Sequence, residues 1–526
     1  MTLKKLAIII TLIIFIFTFN SGCVSFKDVS FNILSKSIVD YYGFPSLILN
    51  YTANDNIIVN LVDPDEKIVF TDNFYPSQNE MVISIASYRN IPQHGTYQLI
   101  VYDKNENKIY NETFYFNGIN FSINAVKGYW WKENTDDSKY SLIGITLNVS
   151  NNGDLPVYPY SLNLLIENIS TSANILPSVV LPEKTGYIYC SFYISNLKIG
   201  MKNCYISVFD RKGEILNDLT FQINAQENVP IYHFNWDYNG TKEINIPKTE
   251  FLSDYYITRD RLYTNDYAAY VFDPYDDLYL TLLTDSITAH AEYLDNISKI
   301  NLIASFVQNL EYGEDDPFNS SYEYPLFPIE LLKNRTSDCE DRSILLGNIL
   351  MLIGYNVSLI SLPKHMAIGV NVEQNLSDYD YYVDKYYYLG TVKKGMVLGD
   401  IPTLYRNISE QAVVYPLTPR PVIRYEWKKA EGILADGTLD FVKLKLFIEN
   451  IGNTVAEKIT ITGAFYSSDN TEYNPEKIII SSLLPREKEQ ISLKITAPEE
   501  ISAILKTRLY LDDILIEEKQ SKTRFS

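Results

Sequence analysis

The sequence predicts a multidomain chain in which antiparallel β-sandwiches flank a single α+β segment. Three observations carry this expectation. The chain has 526 residues, too many for one hydrophobic core, so it divides into about three to five domains. Outside residues 228–420 it reads as short alternating strands separated by Asn, Asp, Gly and Pro, the pattern of antiparallel sandwiches. Inside that span the texture changes to apolar stretches at helical spacing, interleaved with strands.

The N-terminus carries an address. Lys4 and Lys5 precede the apolar run Leu6–Phe19, and "NSGC" ends at Cys23. This is the grammar of a secretion signal. The run is short for a membrane span, which needs about 20 residues, although reading on to Phe26 stretches it to a marginal anchor. Ser21 and Gly22 before Cys23 resemble a lipobox, with Asn20 as a departure. Two readings stay open for residues 1–26: lipidation at Cys23 or an uncleaved N-terminal helix. Both put the rest of the chain outside the membrane, at the cell surface. Twelve Asn-x-Ser/Thr sequons, among them Asn50, Asn111, Asn148, Asn239 and Asn296, fit an exported chain. The formal net charge of -20 argues against nucleic acid as a partner.

Sandwiches are expected at 30–118, 120–226 and 422–523. The endings "YQLIVYDKNENKIYNETFYF", "CYISVFDRKGEILNDLTFQI" and "TRLYLDDILIEEKQSKTRF" each give a strand, an acidic turn near Asp103, Asp210 or Asp512, and a return strand. "LNVSNNGDLPVYPYSLNL" and "LFIENIGNTVAEKITITG" form a second repeat, each an alternating strand running through an Asn and Gly turn, a hairpin signal. These stretches resemble the CARDB-like and immunoglobulin-like (Ig-like) modules of archaeal and bacterial surface proteins. Cys190 and Cys204 fall on facing arms of an expected hairpin. An oxidising compartment permits a disulfide between them, and two buried thiols is the other reading.

Within 228–420 a helix is expected from Asp277, capped by Asp276 or Asp277, and a second from Ser298 with Ile300, Ile303, Val307 and Leu310 on one face. A turn of helix follows at Ile329–Lys333. Then comes "RTSDCEDRSILLG". Ser337 and Glu340 have capping-box spacing, which puts Cys339 in the first turn of a helix that is apolar nearly all round and stops at Gly354. There the unsatisfied N–H groups and the macrodipole lower a thiol pKa, while Asp338, Glu340 and Asp341 oppose this unless they turn to caps or to Arg342. Two strands joined by Pro363 and Lys364 follow, and His365 opens the second. A third candidate strand is "KYYYLGTV".

A cysteine at the head of a buried helix and a histidine at the edge of the adjoining sheet suit nucleophile and base. From about "SFVQNLEY" through the cysteine helix and "LPKHMAIGV" to "YYYLGT", roughly 90 residues, the chain resembles the transglutaminase-like, papain-related cysteine enzymes. The resemblance implies a transglutaminase-like (papain-like) core, with Cys339 attacking an amide or ester carbonyl and His365 as general base. It further implies that Asp341 is structural and that Gln308 and Tyr312 border an oxyanion region. The family's orienting acid falls at Gly390, a departure, with Asp384 or Asp400 as substitutes. No cofactor is expected. A metal site is not expected either: the chain has only four His and four Cys, His94, His233 and His290 lack a motif, and the clusters at Asp273–Asp277, Gly313–Asp316 and Ser377–Asp384 read as solvated loops and caps. The expected function is thiol acyl transfer or hydrolysis on a peptide or amide-bearing surface substrate. The alternative is a non-catalytic surface binding or adhesion protein. Oligomeric state is not legible.

Overall fold

The computed structural model describes residues 29–525, apart from 133–138, 227, 263, 314–324, 335, 377 and 436. Cys23 with its lipobox, the Glu314–Asp316 cluster and Ser377 lie outside the described residues.

The α+β class with a papain-like core does not describe this chain. It is mostly β, 53% strand against 14% helix, in many small antiparallel sheets. The apolar helical stretches are the loudest sequence signals, but among the described residues they are few and short; the longest there has 14 residues.

The first fourteen strands are β1 (Phe31–Tyr41), β2 (Phe44–Ala53), β3 (Ile57–Val62), β4 (Ile68–Phe74), β5 (Glu80–Ser84), β6 (Gly95–Asp103), β7 (Lys108–Phe116), β8 (Phe121–Trp131), β9 (Lys139–Asn151), β10 (Pro159–Ile166), β11 (Ile169–Asn174), β12 (Lys184–Lys198), β13 (Gly200–Asp210) and β14 (Ile215–Ala225). They form two sandwiches with one topology. Sheet β1-β2-β5 faces β4-β3-β6-β7, and sheet β8-β9-β12 faces β11-β10-β13-β14. Alternation builds each core: β3 buries Ile57, Val59 and Leu61, and β6 buries Tyr97, Leu99 and Val101.

A middle section follows. It contains β15 (Ile231–Asp237), β16 (Thr241–Pro247), α1 (Glu250–Thr258), α2 (Ala268–Val271), α3 (Asp277–Thr288), α4 (Asn296–Gln308), β17 (Glu311–Tyr312), α5 (Pro328–Asn334), β18 (Thr336–Ser337), α6 (Cys339–Leu352), β19 (Asn356–Leu362), β20 (His365–Asn371), β21 (Tyr387–Leu389) and β22 (Val413–Pro416). The helices share a core with one face of the sheet β21-β20-β19-β22. Last come β23 (Ile423–Ala435), β24 (Thr438–Asn450), β25 (Ala456–Tyr466), β26 (Glu472–Leu483), β27 (Lys488–Thr496), β28 (Ile504–Leu511) and β29 (Ile514–Gln520). Sheets β23-β24-β27 and β26-β25-β28-β29 repeat the topology of the first two sandwiches.

The Asn and Gly repeats are not hairpins. Each takes the chain from one sheet to the other, β9 to β10 and β24 to β25. The asparagine clasps the corner. Asn151 donates to the carbonyls of Leu155 (2.8 Å) and Val180 (3.0 Å) and accepts from Gly153 N–H (3.0 Å). Asn450 makes the same three bonds to Thr454, Leu483 and Gly452, at 2.8, 3.0 and 3.0 Å. Both side chains are buried. The acidic turns are local: the Asp103 carboxylate accepts from the N–H groups of Asn105 and Asn107 and Asp210 does likewise for Lys212 and Glu214, whereas Asp512 and Asp513 form a left-handed two-residue turn.

The same kind of crossing separates Cys190 and Cys204. Strands β12 and β13 are sequential but lie in opposite sheets, and both thiols are free and buried. The second reading of that pair is the one found.

The first sandwich closes onto the last. Lys443 reaches from β24 to Asp72 (2.7 Å) and the Asn73 carbonyl (2.6 Å), Arg89 pairs with Glu487, and Tyr41, Tyr42 and Phe44 gather around Phe447. Arg486 donates to Tyr160 of the second sandwich and Tyr275 of the middle section. Among the described residues no helix is long and apolar enough to cross a membrane.

Candidate functional site

Helix α6 begins one residue away from the spacing the sequence suggests. Its N-cap is Asp338, whose side chain accepts from Asp341 N–H, while the Asp341 carboxylate accepts from Asp338 N–H (3.3 Å). Asp341 also accepts from Leu326 N–H at 2.7 Å. Asp341 therefore ties the helix start to the segment before α5. Arg342, fully buried, donates to the Ser337 hydroxyl and to the carbonyls of Leu310, Thr391 and Val392. It tethers the end of α4 and the chain beyond β21 to the first turn of α6.

Cys339 is the first residue of that helix. Strand β21 pairs only with Ile368–Val370 of β20, so the β20 backbone at Met366 has no strand neighbour on that side. In an antiparallel pair, a residue's N–H and C=O point the same way. At Met366 the first turn of α6 takes over both: the N–H points at the Cys339 sulfur, and the carbonyl lies 3.2 Å from the Ser343 hydroxyl. Cys339 and Ser343, one helical turn apart, are the pair that fills this gap.

His365 follows the two-residue turn Pro363–Lys364, where Lys364 is left-handed (φ 58°). Alternation places His365, Ala367 and Gly369 on the sheet face away from the α6 core, and Tyr388 pairs across from Gly369 on that same face. There His365 Nε2 lies 3.0 Å from the Tyr388 hydroxyl, and the Tyr405 ring stacks flat on the imidazole at 4.5 Å. Among the described residues no hydrogen bond joins Cys339 to His365; Tyr388 and Tyr405 are close enough to the sulfur to feel its charge.

The thiol is not depressed by the helix start. Burial, followed by the neighbouring Glu340 carboxylate, pushes it up to about 12, against a smaller lowering by the Met366 N–H. The Cys339 Sγ–H donates to Glu340 Oε2 at 3.3 Å. Burial lowers His365 to about 4, with no compensating charge. At neutral pH both groups are uncharged.

The acids offered as substitutes stand elsewhere. Asp384 occupies a left-handed turn position (φ 51°) beside the Val383–Tyr386 bridge. Asp400 accepts from the Tyr379 hydroxyl (2.9 Å) and Val397 N–H (3.3 Å). A Cβ at Gly390 would meet the thioether end of the Met396 side chain, its Sδ at 2.7 Å. Gln308 donates to the carbonyls of Gly390 (2.8 Å) and Met396 (3.0 Å) and accepts from Gly395 N–H (3.0 Å), so its amide is used to hold this loop. Tyr312 is half-exposed, with the Arg342 guanidinium 5.3 Å over its ring. Sequence reasoning missed Tyr388, Tyr405 and Met366; the alternation of "YYYL" against "HMAIG" was the available signal for the first.

Among the described residues no group of three His, Cys, Asp or Glu could hold a metal ion. Three acids meet in the core instead. Asp273 pairs with Arg259 and accepts from the Tyr256 hydroxyl, Asp277 is raised to about 7 by burial and then by Asp273, and both oxygens of fully buried Asp276 lack a hydrogen-bond partner.

No protein-family model matches the chain, and no curated protein matches it. Among solved structures, red sea bream transglutaminase aligns over 73% of this chain and 80% of its own at 11% identity, with a TM-score of 0.16. A two-domain fibronectin type-III segment from chicken tenascin aligns over 37% and 99% at 11% identity and a TM-score of 0.18. The YadV chaperone aligns over 34% and 90% at 10% identity and a TM-score of 0.13. Overlaps this slight assign no family to the chain.

Proposed function

We propose that this is an exported protein, held at the cell surface by its N-terminal segment, whose middle section carries a cysteine acyl-transfer or hydrolase centre of the transglutaminase-like type. The substrate class is a peptide or other amide-bearing surface molecule. The observation that supports it most is the seating of Cys339 at the head of α6, beside the strand that His365 opens, with the imidazole held at one edge by Tyr388. Because thiol and imidazole are both neutral, the reaction runs by general base catalysis. His365 takes the Sγ proton as sulfur bonds to the carbonyl carbon, and the oxyanion meets first-turn N–H groups. The C–N bond then breaks, the proton passes from the imidazolium to the leaving amine, and a thioester remains. Water or a second amine closes the cycle.

Incubation with an activated ester, followed by mass spectrometry, tests this. The expected result is one acyl group on Cys339 in the wild type, none on that peptide in Cys339→Ala, and acylation slowed about 10²-fold or more in His365→Ala, the lower end of the range of about 10²–10⁴ for general base catalysis. Equal acylation in His365→Ala refutes the base.

A second reading is supported by the protonated thiol and by Tyr405 lying on the imidazole. On that reading the domain is a binding module, and neither residue acylates.

A further inference from the structure

We propose that Tyr388 is the positioning residue of this site: its hydroxyl accepts a hydrogen bond from His365 Nε2–H and so leaves Nδ1 as the basic nitrogen. The inference rests on the acyl-transfer reading for its purpose, but its geometry stands apart from it. Stacking on Tyr405 at 7° between planes fixes the plane of the imidazole. A half-turn of the ring leaves that plane unchanged while exchanging its two edges. The stacking therefore cannot choose which nitrogen faces which way, and a hydrogen bond must.

Among the described residues the one hydrogen-bond partner of the ring is the Tyr388 hydroxyl, 3.0 Å from Nε2. Among the described residues Nδ1 has none. Tyr388 is itself fully buried, with Tyr382 edge-on against its ring at 5.2 Å, so its hydroxyl is anchored from β21. The volume a side chain at 390 would claim is filled by the Met396 thioether. No carboxylate stands at that position, and a neutral phenol two residues earlier, on β21, is the partner of the imidazole instead. Burial holds the Tyr388 hydroxyl in its protonated form. With no negative charge behind the ring, the imidazolium is formed only in passing, as the thiol proton moves to Nδ1.

The test is nitrogen NMR on the full-length chain labelled at histidine, with His365 assigned by His365→Gln against His94, His233 and His290. The expected wild-type spectrum at pH 7 shows His365 neutral and in a single Nε2–H tautomer. Tyr388→Phe keeps the buried ring and is expected to give mixed tautomers, with acylation of Cys339 down about tenfold or more. Tyr386→Phe, a neighbour on the same segment whose hydroxyl bonds Asn356, changes neither. An Nδ1–H tautomer in the wild type, or an unchanged tautomer in Tyr388→Phe, overturns the proposal, and the wild-type spectrum alone suffices if the variant does not fold. Tautomer mixing in Tyr388→Phe without acylation in any variant upholds the hold of Tyr388 on the ring and removes the acyl-transfer reading instead.

Discussion

Alkylation of Cys339 by iodoacetamide, resolved by peptide and followed from pH 6 to 11, probes the electrostatics of the site directly. The thiolate is the reacting species. Moving a thiol from its ordinary 9.0 to about 12 lowers the thiolate fraction near neutrality about 1,000-fold, a factor of ten for each pKa unit. The native chain should therefore alkylate at Cys339 about three orders of magnitude more slowly than the same peptide in urea, with a rate still climbing at pH 10. Replacing Glu340 by Gln removes the second-ranked cause of the shift but not burial, so it should recover about tenfold and leave most of the slowing in place. A rate that levels off below about pH 8 would mean a thiolate held by an imidazolium. That result refutes the neutral pair, and with it the argument that burial outweighs the helix start.

Three further outcomes are expected. His365 has a folded-state pKa depressed from 6.5 to about 4, so its stabilising contribution is present above 6.5 and lost as pH falls; relative to His365→Gln, the wild type should lose at most about 3 kcal/mol across that window in urea titrations. Asp276 is shifted the other way, raised from 3.8 by burial and then by Asp273, so its contribution is lost as pH rises. Asp276→Asn should therefore gain on the wild type above pH 3.8, reaching about 1–3 kcal/mol by pH 8, read by thermal unfolding. Asn450→Ala strips the corner of β24 and β25 of three hydrogen bonds and should cost about 3 kcal/mol, and Asn450→Asp, which turns a buried carboxylate oxygen toward the carbonyls of Thr454 and Leu483, should cost at least as much; an effect of Asn450→Ala below about 0.5 kcal/mol refutes the clasp.

What was legible in the sequence is what short-range chemistry determines. The cap before Cys339, misplaced by one residue, and the turn that presents His365 are local patterns. So are the Asx turns at Asp103 and Asp210. What failed depends on which strand lies beside which. The Asn151 and Asn450 corners have the residues of a hairpin turn, but the partners of each asparagine are the carbonyls of Val180 and Leu483, about thirty residues on. The hairpin expected around Cys190 and Cys204 fails for the same reason, since β12 and β13 lie in opposite sheets. The class assignment erred because three apolar helices stand out more sharply than many short strands. At the site the expected orienting group is a carboxylate, whereas the register of β20 and β21 brings the Tyr388 hydroxyl to the imidazole.

The contact between the first sandwich and the last has a mechanical consequence. A chain of domains strung end to end yields to a pull one domain at a time, beginning with the weakest. Here Lys443 on Asp72 and Asn73, Arg89 on Glu487 and the aromatic cluster on Phe447 join the two ends of the string. Tension applied at the N-terminal end is shared between the covalent path and this seam. A single cut in the link between the second sandwich and the middle section leaves the two pieces associated.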